Sequence, residues 1–167
     1  MAFIVEDGSV IAGANSYATL EYALSYFADR NRSAEFAGTE AQQRGWLVDA
    51  TSYIDMRWAT RFASTPFAAA QSLAFPRAHG SGAAWMPDQL LRATCEYAAR
   101  AKRGPLAPDP TVDASGHSVV MTGRKVGPIE RTFAVVAGSR ASTFRSYPAA
   151  DMLIAPLLLR PQRQVIR

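Results

Sequence analysis

The sequence predicts an α+β protein that is mainly α-helical. Apolar residues recur at the spacing of an amphipathic helix in three segments before residue 104, and two β-rich runs follow a proline-rich loop. We therefore expect a core of three main helices, a β-hairpin arm, a short C-terminal helix and an extended tail. The 49% hydrophobic and 19% charged content of the 167 residues is typical of a globular chain. We expect a single helical domain over 1–159, with the arm at about 118–136 and a basic tail at 160–167.

The first two helices are predicted from their N-terminal caps and apolar faces. Asn15 or Ser16 can cap a first helix that ends near residues 29–32. Thr39 and Gln42 have the spacing of a capping box at the start of a second helix. The apolar positions of the first helix are Tyr17, Leu20, Leu24 and Phe27. The predicted face of the second helix consists of Trp46, Ala50, Tyr53, Ile54 and Arg57, with Leu47 beside it.

A third helix is predicted between a proline and a glycine-proline pair. Pro87 suits its first turn, and Gly104-Pro105 ends it. Its expected apolar face consists of Leu90, Leu91, Thr94, Cys95, Ala98 and Ala101. Cys95 is the one cysteine of the chain, so an internal disulfide is excluded and we expect it to be a small core hydrophobe.

The stretch QSLAFPRA, residues 71–78, is predicted to be a packed joint. Proline restricts the residue before it to extended backbone, so Ala74 and Phe75 are expected to be extended. We expect Leu73 and Phe75 to pack between the second and third helices. Arg77 is expected to hydrogen-bond to loop carbonyls or a nearby carboxylate, with contact to DNA or a neighbouring subunit as the alternative.

The last third of the chain is predicted to contain a hairpin and a short helix. Residues 118–125 and 129–136 are β-rich and are separated by Val126-Gly127-Pro128. A flexible linker at 138–146 leads to a helix at 149–159, which Pro161 ends. The side chains expected to dock this helix on the core are Met152, Leu153, Leu157 and Leu158.

Charge is distributed unevenly along the chain. Residues 1–120 contain 10 Lys and Arg against 12 Asp and Glu, a net charge of −2. Residues 121–167 contain 8 basic residues against 2 acidic ones, a net charge of +6. This asymmetry indicates an acidic or nucleic-acid partner for the C-terminal part, although a solvated basic face is an equal alternative.

Residues with catalytic chemistry are sparse. The two histidines, His79 and His117, lie in predicted loops without the spacing of a metal site. Asp49 and Asp55 fall on different faces of the second helix, and no glycine-rich phosphate-binding pattern occurs. We therefore expect no enzyme activity, no cofactor and no metal. The N-terminal residues lack a basic signal-peptide region and no apolar run has membrane-spanning length, so we expect no membrane partner and synthesis in a reducing cytoplasm.

The basic residues of the arm and linker are candidates for a nucleic-acid or subunit interface. The arm presents Arg124, Lys125 and Arg131 with Phe133, and the linker adds Arg140 and Arg145. Basic groups interleaved with an aromatic ring can follow a phosphate backbone and stack on a base. The alternative is that Phe133 faces inward and the arginines form the solvated face of the hairpin.

Four segments in order resemble a family encoded in tailed-phage genomes: VEDG…ANSYATLEYALSYFADR, QSLAFPRA, KVGPIERTF and YPAADMLIAPLL. Members of this family are labelled DnaT-like single-stranded DNA-binding proteins and resemble head–tail connector subunits. The resemblance runs from about Val5 to Leu159. It implies a mainly helical adaptor that forms a ring, commonly of twelve subunits, beneath the portal and extends the DNA channel toward the tail. The label itself implies the alternative, a single-stranded DNA-binding accessory protein.

The resemblance also implies partners and a place in the virion. The expected partners are other copies of the chain, the portal protein and a tail terminator, stopper or other neck protein, with transient non-specific contact to packaged double-stranded DNA. The expected location is the virion neck, after synthesis in the host cytoplasm. The C-terminal segment of such connectors commonly reaches the portal. The tail residues expected to make this contact are Arg160, Arg163, Val165, Ile166 and Arg167.

Overall fold

The structure is a computed structural model that describes residues 2–80, 82–109, 121–126, 129–134 and 144–159, with the backbone alone at 121–126 and 129–134. Within these residues the protein is α+β and mainly helical, which confirms the predicted class. The α-helices are α1 (Leu20–Ala28), α2 (Glu40–Trp58), α3 (Asp88–Ala101) and α4 (Pro148–Ile154). Short 3-10 helices span Ser33–Phe36, Ala59–Arg61 and Ala155–Leu157. The strands are β1 (Arg77–His79), β2 (Ala83–Trp85), β3 (Met121–Val126) and β4 (Ile129–Ala134).

The chain divides into two compact units. One consists of Met1–Leu106 with Ser146–Arg167 and contains the four α-helices and the β1–β2 hairpin. The other is Ala107–Arg145 and contains the β3–β4 hairpin. The predicted domain boundary at residue 159 stays a prediction, and the tail at 160–167 lies outside the described residues.

Helix α3 is the central element of the helical unit, because it packs against both α2 and α4. It buries residues around its circumference: Leu90, Ala93, Thr94, Cys95, Glu96, Tyr97, Ala98 and Ala99. Cys95 is a core residue as predicted, and burial raises the pKa of its thiol. Pro87 is the N-cap rather than a first-turn residue, while the predicted face members Leu91 and Ala101 are half-buried.

The capping box of α2 forms as predicted. The Thr39 hydroxyl accepts a hydrogen bond from the Gln42 amide at 3.3 Å, and the Gln42 side chain accepts one from the Thr39 amide at 2.9 Å. The predicted buried face needs correction, because Leu47 is fully buried whereas Trp46 is half-buried. The 3-10 turn before α2 explains the difference: Trp46 packs edge-on against Phe36 at 5.8 Å instead of entering the core between helices.

The predicted start of α1 is wrong by several residues. Thr19 is the N-cap, and its hydroxyl accepts from the Tyr22 amide at 3.0 Å. Asn15 is unavailable as a cap because its side chain accepts from the Ile4 amide at 2.9 Å. Ser16 forms a parallel β-bridge with Val5, which keeps this part of the chain extended.

The QSLAFPRA segment is a structural joint, as predicted, but with partly different partners. Phe75 is 1% exposed and its ring contacts those of Tyr17, Phe62 and Trp85, which lie before α1, after α2 and in β2. Leu73 is only half-buried. The Asp55 carboxylate of α2 accepts from the Ala74 amide at 2.9 Å and from the Tyr17 hydroxyl.

Arg77, near the end of this segment, forms the predicted carbonyl contacts. It is 6% exposed, and its guanidinium donates to the Ser64 carbonyl at 2.6 Å and to the Ala74 carbonyl at 3.0 Å. The loop predicted around His79 is instead an antiparallel hairpin, in which Arg77 pairs with Trp85 and His79 with Ala83. His79 is therefore a strand residue rather than a loop residue.

Helix α4 ends earlier than predicted, and the residues that dock it differ in part from the predicted set. Leu157, in the 3-10 turn after the helix, is buried as predicted, whereas Leu153 and Leu158 are half-buried and Met152 is 75% exposed. Ala150 and Ile154 are buried in addition. Residues after Ile154 form a 3-10 turn because Pro156 cannot donate an α-helical hydrogen bond. Beyond it, Leu158 pairs with Phe62 in an antiparallel bridge, which ties the end of the described chain to the segment after α2.

Candidate nucleic-acid interface

The β3–β4 hairpin confirms the predicted arm as a two-stranded antiparallel element. Its register aligns Val126 with Ile129 next to the turn and Met121 with Ala134 at the far end. Val126 is thus a strand residue rather than part of the connection. The outer parts of the predicted strands, 118–120 and 135–136, lie outside the described residues.

The register brings two of the predicted basic positions together. Arg124 aligns directly with Arg131, and Phe133, two positions further along β4, aligns with Thr122. Directly opposite positions lie on one face of an antiparallel pair, and so do positions two residues apart. The two arginine positions and the Phe133 position therefore share one face of the hairpin.

The other face has a different charge pattern. Lys125 aligns with Glu130, so positions of opposite charge are opposite each other on the two strands there. Opposite-charge pairs stabilise an antiparallel ladder, whereas like charges directly opposite destabilise it, by roughly 0.2–1 kcal/mol each. The hairpin thus has one face with an electroneutral pair and one face on which two like charges are aligned.

Of the remaining predicted interface residues, the structure describes only Arg145. Arg145 is exposed and lies at the end of the hairpin unit. Arg140 and the tail residues lie outside the described residues; the tail residues are Arg160, Arg163, Val165, Ile166 and Arg167. Their predicted roles stay predictions.

The chain leaves and re-enters the helical unit at two residues that are joined by a hydrogen bond. The Tyr147 hydroxyl donates to the Leu106 carbonyl at 2.9 Å, and these residues flank the hairpin unit in sequence. Tyr147 also packs edge-on against Tyr53 and Tyr97, with ring centroids 5.8 Å and 6.0 Å away. The two chain segments that flank the hairpin unit are therefore fixed to the same point of the helical unit.

A half-buried network around Asp151 holds the re-entering helix α4. The Asp151 carboxylate accepts from the Tyr97 hydroxyl at 2.5 Å, from the Arg57 guanidinium at 3.0 Å and from the Tyr147 amide at 3.1 Å. Burial and the neighbouring carboxylate raise the pKa of Tyr97. Sequence reasoning missed this network; an isolated acid beside the apolar positions of a short helix was the available signal.

A second network, also missed, is centred on the buried Glu96 and joins α1, α3 and the turn between α1 and α2. Glu96 is 3% exposed and accepts from Tyr26 at 2.8 Å and from Arg32 and Arg100 at 2.7 Å each. Burial opposes ionisation of Glu96, but these hydrogen bonds outweigh it and lower its pKa to about 2. Paired in this way, the carboxylate is a structural element of the core.

The described residues contain no group of three or more His, Cys, Asp or Glu side chains placed to hold a metal ion. Within the same part of the chain, no helix has the length and apolar character to cross a membrane. Of the two histidines, His79 lies on β1 and its ring stacks on Trp85, while His117 lies outside the described residues.

Comparison with known proteins places the chain in one family. A family model described as "putative DnaT-like ssDNA binding protein" matches residues 1–167. The chain belongs to this family. Comparison with curated proteins and with solved structures finds no match.

Proposed function

We propose that the protein is a structural, non-enzymatic head–tail adaptor of a tailed bacteriophage, forming a homo-oligomeric ring of twelve subunits beneath the portal. In this role it extends the DNA channel and provides a docking surface for the tail. Its partners are other copies of the chain, the portal protein and a tail terminator, stopper or other neck protein. It functions in the virion neck after synthesis in the host cytoplasm.

The observation that carries this proposal is the β3–β4 hairpin. It lies in a compact unit of its own, and each strand pairs only with the other among the described residues. Unpaired strand edges are prone to pair with another chain, and adding a strand to such an edge is a common mode of association. In a ring, each arm can pair with the next subunit. The helical unit of each subunit would then form one wedge-shaped segment of the ring.

Besides pairing with a neighbouring subunit, the arm could contact DNA in the channel through its two aligned arginines. Arg124 and Arg131 occupy opposite positions on one face, where an anionic phosphate would relieve their repulsion. Phosphate contacts carry no sequence information and weaken strongly with salt, which suits DNA that must slide past.

Electron microscopy of the purified full-length chain, together with light scattering, tests the ring. We expect closed rings, or assembly into rings on addition of portal-containing particles. A chain that remains monomeric and never joins such particles would refute the adaptor role.

A second candidate, a single-stranded DNA-binding accessory protein, is favoured by the family description. It predicts tight, salt-sensitive binding of single-stranded oligonucleotides by the monomer. The positions that would carry this binding on the hairpin are Arg124, Arg131 and Phe133, because they share a face. No binding at low salt would exclude this candidate.

Paired variants measure the contribution of the arm. Arg124→Ala with Arg131→Ala should weaken DNA binding and reduce the slope of log affinity against log salt by about 1 for each phosphate that is no longer neutralised. For a comparison at equal charge, Arg124→Ala alone is set against Lys125→Ala, which also removes one charge but from a position opposite Glu130 on the other face; Lys125→Ala should change affinity less. Equal reductions of affinity in these two single variants would contradict the assignment of the arginine face.

A further inference from the structure

A ladder of aromatic rings runs from the core to the surface of the helical unit. The Tyr17 and Phe75 rings are each 1% exposed and meet edge-on with centroids 6.2 Å apart. Phe75 in turn contacts Trp85 at 6.2 Å, and His79 stacks on Trp85 at 4.6 Å with 28° between the ring planes. His79 is exposed and Trp85 is half-buried. The core therefore supports the outermost rings.

The hairpin register explains how the outer pair forms. Arg77 is opposite Trp85, and His79 is two positions along the same strand, so His79 and Trp85 are diagonal neighbours on one face. Arg77 is anchored below them through the Ser64 and Ala74 carbonyls. A ring pair held in this way loses little conformational entropy when a ligand stacks on it.

The two glycines of the turn next to this pair are open on their Cβ side. Gly80 and Gly82 have φ values of +56° and +90°, which favour glycine, and a Cβ atom at either position would meet no atom of the described residues within 4 Å, apart from its own chain neighbours. The described backbone of the turn can therefore be approached closely.

The chain segment that carries the ring pair is free of acidic residues. Residues 56–87 contain no Asp or Glu, although the chain as a whole has 14 such residues. The same segment contains Arg57, Arg61 and Arg77 as well as His79. A ligand that combines a flat ring with a negative charge fits this combination of an exposed ring and an acid-free segment.

We propose that the exposed face of the His79–Trp85 pair stacks on a base of single-stranded DNA. Duplex bases are already stacked on each other, so such a platform selects single strands, and aromatic stacking tolerates any base sequence. This site belongs to the helical unit rather than to the arm, and it goes beyond the adaptor role. It rests on the second candidate function, contact with single-stranded DNA.

Three substitutions at the exposed position separate stacking from charge. Binding of a fluorescently labelled 20-nucleotide oligo(dT) to the full-length chain is measured by anisotropy at low salt. His79→Ala should weaken binding by about 5- to 150-fold, the range typical of alanine substitution at stacking sites. His79→Phe, which keeps a ring without a charge, should bind within about threefold of wild type. His79→Lys, which keeps a charge without a ring, should behave like His79→Ala.

Controls separate failure of this site from failure of the function it rests on. Circular dichroism and light scattering should show the same fold and oligomeric state for every variant, and affinity for a 20-base-pair duplex should not change. Wild-type affinity for oligo(dT) in His79→Ala, or rescue by lysine rather than phenylalanine, would overturn the stacking site alone. A wild-type chain that does not bind oligo(dT) at low salt would overturn both the site and the second candidate function.

Discussion

Replacing Phe75 with alanine removes the ring on which the joint between the N-terminal segment, α2 and the β1–β2 hairpin depends. Phe75 is 1% exposed, and its ring lies 4.8 Å from that of Phe62 and 6.2 Å from those of Tyr17 and Trp85. Truncation of a buried phenylalanine costs about 3–5 kcal/mol, because favourable transfer free energy is forfeited and a cavity remains. We expect the free energy of unfolding of Phe75→Ala to fall by about this amount.

Urea unfolding followed by tryptophan fluorescence measures this decrease. The three tryptophans, Trp46, Trp58 and Trp85, belong to the helical unit, so their signal reports on that unit. With a slope of about 2 kcal/mol per molar urea, a decrease of about 4 kcal/mol lowers the midpoint by about 2 M.

A matched control uses a phenylalanine from the neighbouring loop. Phe67 is 43% exposed, so Phe67→Ala should cost about 1 kcal/mol or less. If Phe75→Ala unfolds within about 1 kcal/mol of wild type, or at the same urea concentration as Phe67→Ala, then Phe75 is not the centre of the joint.

Two further predictions concern the core network and the helix cap. Hydrogen-bond donors at Glu96 outweigh its burial and lower its pKa from the ordinary 4.5 to about 2, so the carboxylate stabilises the fold above pH 4.5 and this stabilisation is lost as pH falls toward 2. The stabilisation by the Glu96 carboxylate amounts to about 3 kcal/mol. Glu96→Gln should abolish this part of the pH dependence of the free energy of unfolding, measured by urea titrations between about pH 5 and 2. An unchanged pH profile in this variant would contradict the network. Thr39→Ala removes one half of the capping box and should lower the free energy of unfolding by about 1 kcal/mol, measured by circular dichroism, whereas Thr39→Ser should be nearly neutral. Equal stability of the alanine and serine variants would show that the cap contributes nothing.

Local features could be read directly from the sequence. The Thr39–Gln42 box forms because both hydrogen bonds lie within four residues and need no distant partner. The hairpin was likewise predictable, since two β-rich runs were separated by a glycine-proline turn. Cys95 could be placed in the core because helical spacing put it among apolar residues.

The sequence-based predictions were wrong where a side chain interacts with a segment that is distant in the sequence. Asn15 is a good N-cap by local rules, but it binds the backbone of Ile4 instead, so the helix starts after Thr19. Met152 was expected to dock α4, yet α4 is oriented by the Asp151 carboxylate and buries Ile154.

By itself, the sequence determined the fold class, the α2 cap, the hairpin and the concentration of positive charge in the last third of the chain. These depend on composition, periodicity and contacts between near neighbours in the chain. Only the tertiary structure decided that Glu96 is paired in the core, that Arg124 aligns with Arg131, and that His79 caps a ladder of rings. The physical reason is that each of these depends on partners from separate elements, and their register and packing are fixed by the folded backbone rather than by local spacing.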